Sequence, residues 1–322
     1  MSRSLILATV ALAAHVAAHG YVRTFTLDGV DYEGYDRWND NRDPNHIGWS
    51  FATEDEGPEL DVSSPDLVCR RNAEPAQNYG KIAAGGEASF LWTSDDKTLN
   101  PDGWAAGHRG PILTYIAPCH GDCAAVDKTA LSWTKIAEEG LVSGTANVQG
   151  VWATDKMREN GGVNLATIPR TLAPGKYVLR NEIIALHRAH LSEPEFYMQC
   201  GNIEVTGSGS DDLSGSGVVA SGLYSRDADS SIFGFDVYNG GSETTWKIPG
   251  PPLYSGASAG GGGGGGNEST SPVATPILIT APTLVPTPVP TPIPTPAAGE
   301  EVVEDDEQSC MAGKRKPRQF QV

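Results

Sequence analysis

Between residues 19 and 255 several short apolar runs are bounded by Gly, Pro and Asp. Residues 88–93, 112–117 and 131–136 are six-residue apolar or aromatic stretches of this kind, the length and punctuation of strands rather than helices. The longest run is 176–187. Along it Tyr177, Leu179, Ile183 and Ala185 share one face with His187, while Val178, Ile184 and Leu186 take the other. Residues 195–205 follow as a further strand. The chain carries 38 Gly and 23 Pro in 322 residues, far too many turn-formers for a helical bundle. The expected fold is an all-β, immunoglobulin-like or fibronectin-like antiparallel β-sandwich with minor helical content.

The strand-forming part has clear borders. Residues 1–18 read as a signal peptide: Arg3 gives a positive start, residues 5–14 an apolar segment, and Val16-Ala17-Ala18 a small-residue cleavage pattern. The apolar stretch is too short to span a bilayer. Cleavage after Ala18 makes His19 the first residue. Residues 19–255 form the folded domain. Residues 256–299 are a Gly-, Ser-, Thr- and Pro-rich linker that favours extended polyproline II, with a glycosylation sequon at Asn267. Residues 300–322 are a charged, disordered tail. It has one cysteine and one aromatic residue, too few for a carbohydrate-binding module. A formal charge of −17 argues against nucleic acid as a partner, because phosphate binding needs Lys and Arg.

Secretion makes disulfides the default for the five cysteines. Cys310 stands alone in the tail, which leaves Cys69, Cys119, Cys123 and Cys200 to pair inside the domain. Cys119 and Cys123 could close a small loop. Their spacing around His120 also admits zinc, but oxidised cysteines cannot act as thiolate ligands.

A histidine at a mature amino terminus is chemically distinctive. Its α-amino group, with a pKa near ~8, and its imidazole form a chelate, and one more imidazole completes a T of three nitrogens that suits Cu(II). Taken singly, His187 in a strand would be a packed core histidine and Tyr197 an ordinary strand tyrosine. His46, His120 and His190 read as surface or loop residues.

Ordered motifs change that reading. They are His19-Gly20; Gly107-His108-Arg109-Gly110-Pro111, with residues 115–118 behind it; residues 131–136; Trp152-Ala153-Thr154-Asp155; Ile168-Pro169; residues 172–177 and 179–187; Phe196-Tyr197-Met198-Gln199-Cys200; and Ile248-Pro249-Gly250-Pro251. In order and spacing the chain resembles the fungal lytic polysaccharide monooxygenases of auxiliary activity family 9, over residues 19–255. The resemblance implies one copper ion per chain, held by His19 and His108 with Tyr197 axial. It implies His187 as a histidine that hydrogen-bonds to the oxygen co-substrate, and disulfides Cys69–Cys200 and Cys119–Cys123. The implied reaction is oxidative cleavage of cellulose or a related β-glucan, with a small reductant or redox protein as electron donor and O2 or H2O2 as co-substrate. The protein is expected as a secreted monomer with no membrane association. Long loops are expected to form a flat substrate face. Tyr224 matches a late-loop tyrosine that contacts the glucan, and Tyr32, Tyr35 and Trp38 are early aromatic candidates beside Tyr21.

One departure falls at the site. The family usually carries Gln two residues before the axial tyrosine, and this chain has Glu195. Glutamine can donate a hydrogen bond, whereas an ionised glutamate only accepts. Glu195 therefore either acts as a protonatable acid or leaves the site less able to stabilise oxygen. Two rival classes remain: a hydrolase, which needs a paired-carboxylate motif the sequence does not display, and a copper-binding relative that oxidises no polysaccharide.

Overall fold

The computed structural model describes residues 20–36, 43–52, 57–94 and 100–257. The signal peptide, His19, Trp38, most of the linker with Asn267, and the tail with Cys310 lie outside these residues.

The chain runs β1 (Tyr21–Leu27), β2 (Val30–Glu33), β3 (Gly80–Ala83), β4 (Glu87–Thr93), β5 (Ile112–Pro118), β6 (Thr134–Glu139), β7 (Leu141–Ser143), β8 (Val151–Trp152), α1 (Ala153–Glu159), β9 (Val163–Thr167), β10 (Gly175–Ala185) and β11 (Glu195–Thr206). A four-stranded sheet in the order β2-β1-β4-β9 faces a five-stranded sheet in the order β3-β11-β10-β5-β6, with β7 and β8 as a separate pair. The molecule is a β-sandwich, as its alternating runs predict. The smaller sheet is amphipathic: Phe25, Leu27, Ala88, Phe90 and Trp92 point inward, while Thr24, Thr26, Glu87, Ser89 and Leu91 between them are partly or fully exposed.

Three expectations shift at the edges. β3 pairs with β11 in parallel, so the larger sheet is mixed rather than purely antiparallel. The run at 131–136 begins its strand only at Thr134, while Trp133 makes an isolated bridge to Val218. β10 ends at Ala185, which leaves His187 in a turn beyond the strand.

The larger sheet is buried on both faces. Tyr177, Leu179, Ile183 and Ala185 pack between the sheets, and Val178 and Ile184 pack under loops on the back. Buried polar groups are satisfied on both sides. Asn181 accepts from Trp92 Nε1 at 2.8 Å and donates to Thr114 Oγ1 at 3.0 Å and Asn164 Oδ1 at 2.9 Å, which joins the two sheets. On the back, Arg180 grips Glu182 with two bonds of 2.9 and 2.7 Å and donates to the carbonyls of Val68 and Leu67 at 2.8 and 3.0 Å. The Cys69–Cys200 and Cys119–Cys123 bridges are formed.

Arg180→Met would strand the fully buried Glu182 carboxylate and is expected to destabilise the fold by about 3–5 kcal/mol in urea unfolding. Adding Glu182→Leu should recover most of that loss. A single-variant loss below about 1 kcal/mol would mean the pair stays hydrated in solution.

Candidate metal centre

The site lies where three neighbouring strands of the larger sheet reach one end. In the β10–β11 register Ile183 faces Tyr197 and Ala185 faces Glu195, so the turn after β10 carries His187 back over Glu195. The segment before β5 is tied to the same end: Ile184 N donates to Pro111 O at 3.2 Å and Leu186 N to Arg109 O at 2.8 Å. Gly110 permits this approach, because a Cβ there would lie 1.9 Å from the Ile184 carbonyl oxygen. His108 stands two residues earlier, its carbonyl accepting from Trp104 Nε1 at 2.9 Å.

His108, His187 and Glu195 offer ligand atoms that all lie within 4.8 Å of one another. The two imidazole centroids are 4.1 Å apart. Nε2 of His187 is 3.3 Å from Glu195 Oε1, and Nε2 of His108 is 3.5 Å from Oε2. The Tyr197 hydroxyl donates to Oε2 at 2.7 Å. Burial pushes the Glu195 carboxyl up, but the hydrogen bonds from His108, His187 and Tyr197 outweigh it and hold the group well below the usual carboxylate range. Of the two readings of Glu195, the structure favours the ionised acceptor.

The donor set suits a transition-metal ion. Two imidazoles and a carboxylate are partly shielded from water, and Nδ1 of His187 is buried with no partner among the described residues. The Tyr197 proton is committed to Glu195, so its oxygen lone pairs are what it can offer a cation. By themselves these side chains would also suit zinc or ferrous iron.

Sequence reasoning did not single out Trp104. Its ring meets Tyr197 edge-on at 5.0 Å and His108 at 6.0 Å, so it walls the site as well as holding the His108 carbonyl. Its place four residues before His108 was the available signal.

The aromatic candidates scatter. Tyr224 is a correction: it is 4% exposed, stacked on Phe196, with its hydroxyl bonded to Glu182 and to Tyr115, and it has no free ring face for a sugar. Tyr21 is buried as well, and Tyr32 leans onto β3, its hydroxyl accepting from Lys81 N at 3.2 Å. Tyr35 packs edge-on to Phe51 at 5.1 Å. Among the described residues the exposed aromatic is Tyr238, 52% exposed and 5.9 Å from the ring of His190, which lies three residues past His187.

A β-sandwich with an imidazole–carboxylate–phenol cluster at one end is a metalloenzyme scaffold. The profile of Auxiliary Activity family 9 (formerly GH61) matches residues 19–246. The chain is 42% identical over 252 residues to AA9 family lytic polysaccharide monooxygenase B of Aspergillus fumigatus, covering 76% of this chain and 94% of that protein. It is 39% identical to monooxygenase A of Thermoascus aurantiacus, covering 74% of this chain and all of that one. The extended catalytic domain of H. jecorina LPMO9A superposes with a TM-score of 0.65 at 37% identity, over 74% of this chain and 92% of that one. The chain belongs to Auxiliary Activity family 9, whose members are copper-dependent polysaccharide monooxygenases of secreted fungal origin. Among the described residues no helix is long and apolar enough to cross a membrane.

Tyr224→Phe removes a donor from the buried Glu182 carboxylate and is expected to lower unfolding free energy by about 1–3 kcal/mol. Tyr238→Ala, on the surface, should stay within about 0.5 kcal/mol of the parent protein. The reverse order in denaturant unfolding would return Tyr224 to the surface.

Proposed function

We propose that the chain oxidatively cleaves β-1,4-glucan, cellulose above all, with one copper ion held by His19 and His108. The observation that carries this reading is the convergence of His108 and His187 on Glu195 beside Tyr197. It is supported by the family match, which begins at His19, the residue that cleavage after Ala18 would expose. Bound copper would supply one-electron redox chemistry toward O2 or H2O2 after reduction by an external donor.

The chain's own residues do the rest. His108 supplies an imidazole nitrogen, with its backbone held by Trp104. Tyr197 would offer its hydroxyl oxygen to the metal while donating its proton to Glu195. His187 presents Nε2 to the same carboxylate and can hold a proton there for the oxygen co-substrate. Glu195 orients both donors, and the exposed ring of Tyr238 offers a stacking face for a glucose unit. A small reductant or a redox protein serves as the electron source, and the protein acts as a secreted monomer.

The signal peptide, the 256–299 linker and the tail are part of the proposal, as is glycosylation at Asn267. A retained Gly-Ser before His19 would turn the amine into an amide. Copper affinity measured by calorimetry should then fall by at least about 100-fold, and equal binding would rule out the amino-terminal chelate.

His187→Ala should cut oxidised oligosaccharides, detected by mass spectrometry on cellulose with ascorbate, by about 10- to 100-fold while copper stays bound. Tyr238→Ala should weaken adsorption to cellulose with the metal site intact. Unoxidised reducing ends formed without reductant would instead identify a hydrolase.

A further inference from the structure

Arg70 follows Cys69 of the Cys69–Cys200 bridge, is fully buried, and has a left-handed backbone with φ 84°. Such a backbone is uncommon for a long side chain and persists where the surroundings over-determine it. Asp66 O accepts from Arg70 N at 2.8 Å, and the guanidinium runs inward. Nη1 donates to Gly20 O at 3.1 Å, while Nε and Nη2 donate to Gly57 O at 3.2 and 3.1 Å. Its central carbon lies 4.6 Å from the Phe51 ring centroid and 5.8 Å from that of Tyr197.

Gly20, Gly57 and Tyr197 each lead to the metal site. Gly20 is the residue after His19, and it is wedged on its other side: a Cβ there would lie 2.9 Å from Thr93 O and 3.0 Å from the Trp104 ring. The chain after Gly57 pairs with β11, Glu59 N donating to Phe196 O at 2.9 Å and Phe196 N to Glu59 O at 3.0 Å. Phe196 sits between Glu195 and Tyr197. One planar fork therefore joins the root of the amino-terminal arm, the loop clamped to the strand of Glu195 and Tyr197, and the Tyr197 ring itself.

We propose that Arg70 is a positioning residue that sets where the amino-terminal ligand arm meets His108 and Tyr197. The proposal rests on the copper reading above. The guanidinium fixes the direction of two carbonyls at once, which a flexible ammonium cannot do. Removing it would free the Gly20 peptide without touching any ligand atom, so the effect should appear in the geometry and affinity of the metal and not only in stability.

The test uses full-length protein with a verified His19 terminus, comparing parent, Arg70→Met, Arg70→Lys and Arg71→Lys. Circular dichroism establishes that each is folded at the working temperature. Calorimetric Cu(II) titration and the Cu(II) electron paramagnetic resonance spectrum are the readouts. Arg70→Met is expected to weaken Cu(II) binding by about tenfold or more and to shift the hyperfine pattern. Arg70→Lys should recover part of the affinity, and Arg71→Lys, at a half-exposed neighbour paired with Glu59 at 3.7 Å, should match the parent. Parent-like affinity and spectrum in both Arg70 variants would overturn the proposal, even with a lowered melting temperature. Should Arg70→Met not fold, Arg70→Lys alone decides: a weakening of roughly threefold or more supports the role, and parent values overturn it. A parent protein that takes up no Cu(II) would sink the copper reading first, and this proposal with it.

Discussion

The register of β10 against β11 is the constraint on which the site depends. It sets Ile183 opposite Tyr197, Ala185 opposite Glu195 and Arg180 opposite Cys200. Side chains alternate with a period of two, so a slip of one residue would turn Tyr197 out of the inter-sheet space, put Phe196 or Met198 in its place and turn Cys200 off the back face. The Cys69–Cys200 bridge, the place of Tyr197 and the carboxylate that gathers the two histidines would all be lost together. The same strand fixes β5 on its other side, Ile112 facing Ile183, and so brings the segment with His108 to the end where β10 turns.

Apolar patterning alone cannot hold that register. Both faces of β10 are buried, and its hydrophobic residues would be nearly as well served one position away. The buried polar groups remove the degeneracy. Asn181 must face the smaller sheet to meet Trp92 and Asn164, and Arg180 and Glu182 must face the back to reach each other and the carbonyls of Leu67 and Val68. On β11, Asn202 joins Trp49 Nε1 at 2.7 Å to the Ala76 carbonyl at 2.6 Å on that same back side. A slipped pairing would leave several of these without partners in a low-dielectric interior, a heavier penalty than any misplaced methyl group. Polar burial here specifies the pairing that hydrophobic burial stabilises.

This division explains what the sequence made legible. Alternation along 176–187 and 195–205 revealed the two central strands and the faces of Tyr177, Leu179, Val178 and Ile184, because a strand's period is a local property. The parallel pairing of β3 was invisible, since a four-residue edge strand carries no sign of its partner's direction. Tyr224 was misread, and Tyr238 passed over, for a similar reason. Residues 207–257 form no strand, so no period separates an inward ring from an outward one. Tyr224 follows apolar Leu223 and ends against Glu182, while Tyr238 stands before the Asn239-Gly240-Gly241 turn and remains in solvent. Flanking turn residues carried the better signal than position in the late loop.

Glu195 stands where the family resemblance leads one to expect glutamine, and its surroundings say what a carboxylate does there. Three donors surround it: Nε2 of His187, Nε2 of His108 and the Tyr197 hydroxyl. A glutamine would bring one acceptor oxygen and one amide that must itself donate, so one of those neighbours would have to turn or change tautomer. The carboxylate accepts on both oxygens and favours a proton on Nε2 of His187, whose buried Nδ1 has no partner among the described residues. Its 3.5 Å separation from His108 Nε2 is longer than a normal hydrogen bond. That nitrogen can serve a metal ion or Glu195 but not both. A metal taking His108 would leave the carboxylate with His187 and Tyr197, close to the cation and carrying the charge that balances it. Against the expected glutamine, the carboxylate would replace a neutral donor beside a bound metal with a fixed negative charge, held in place by the same three neighbours.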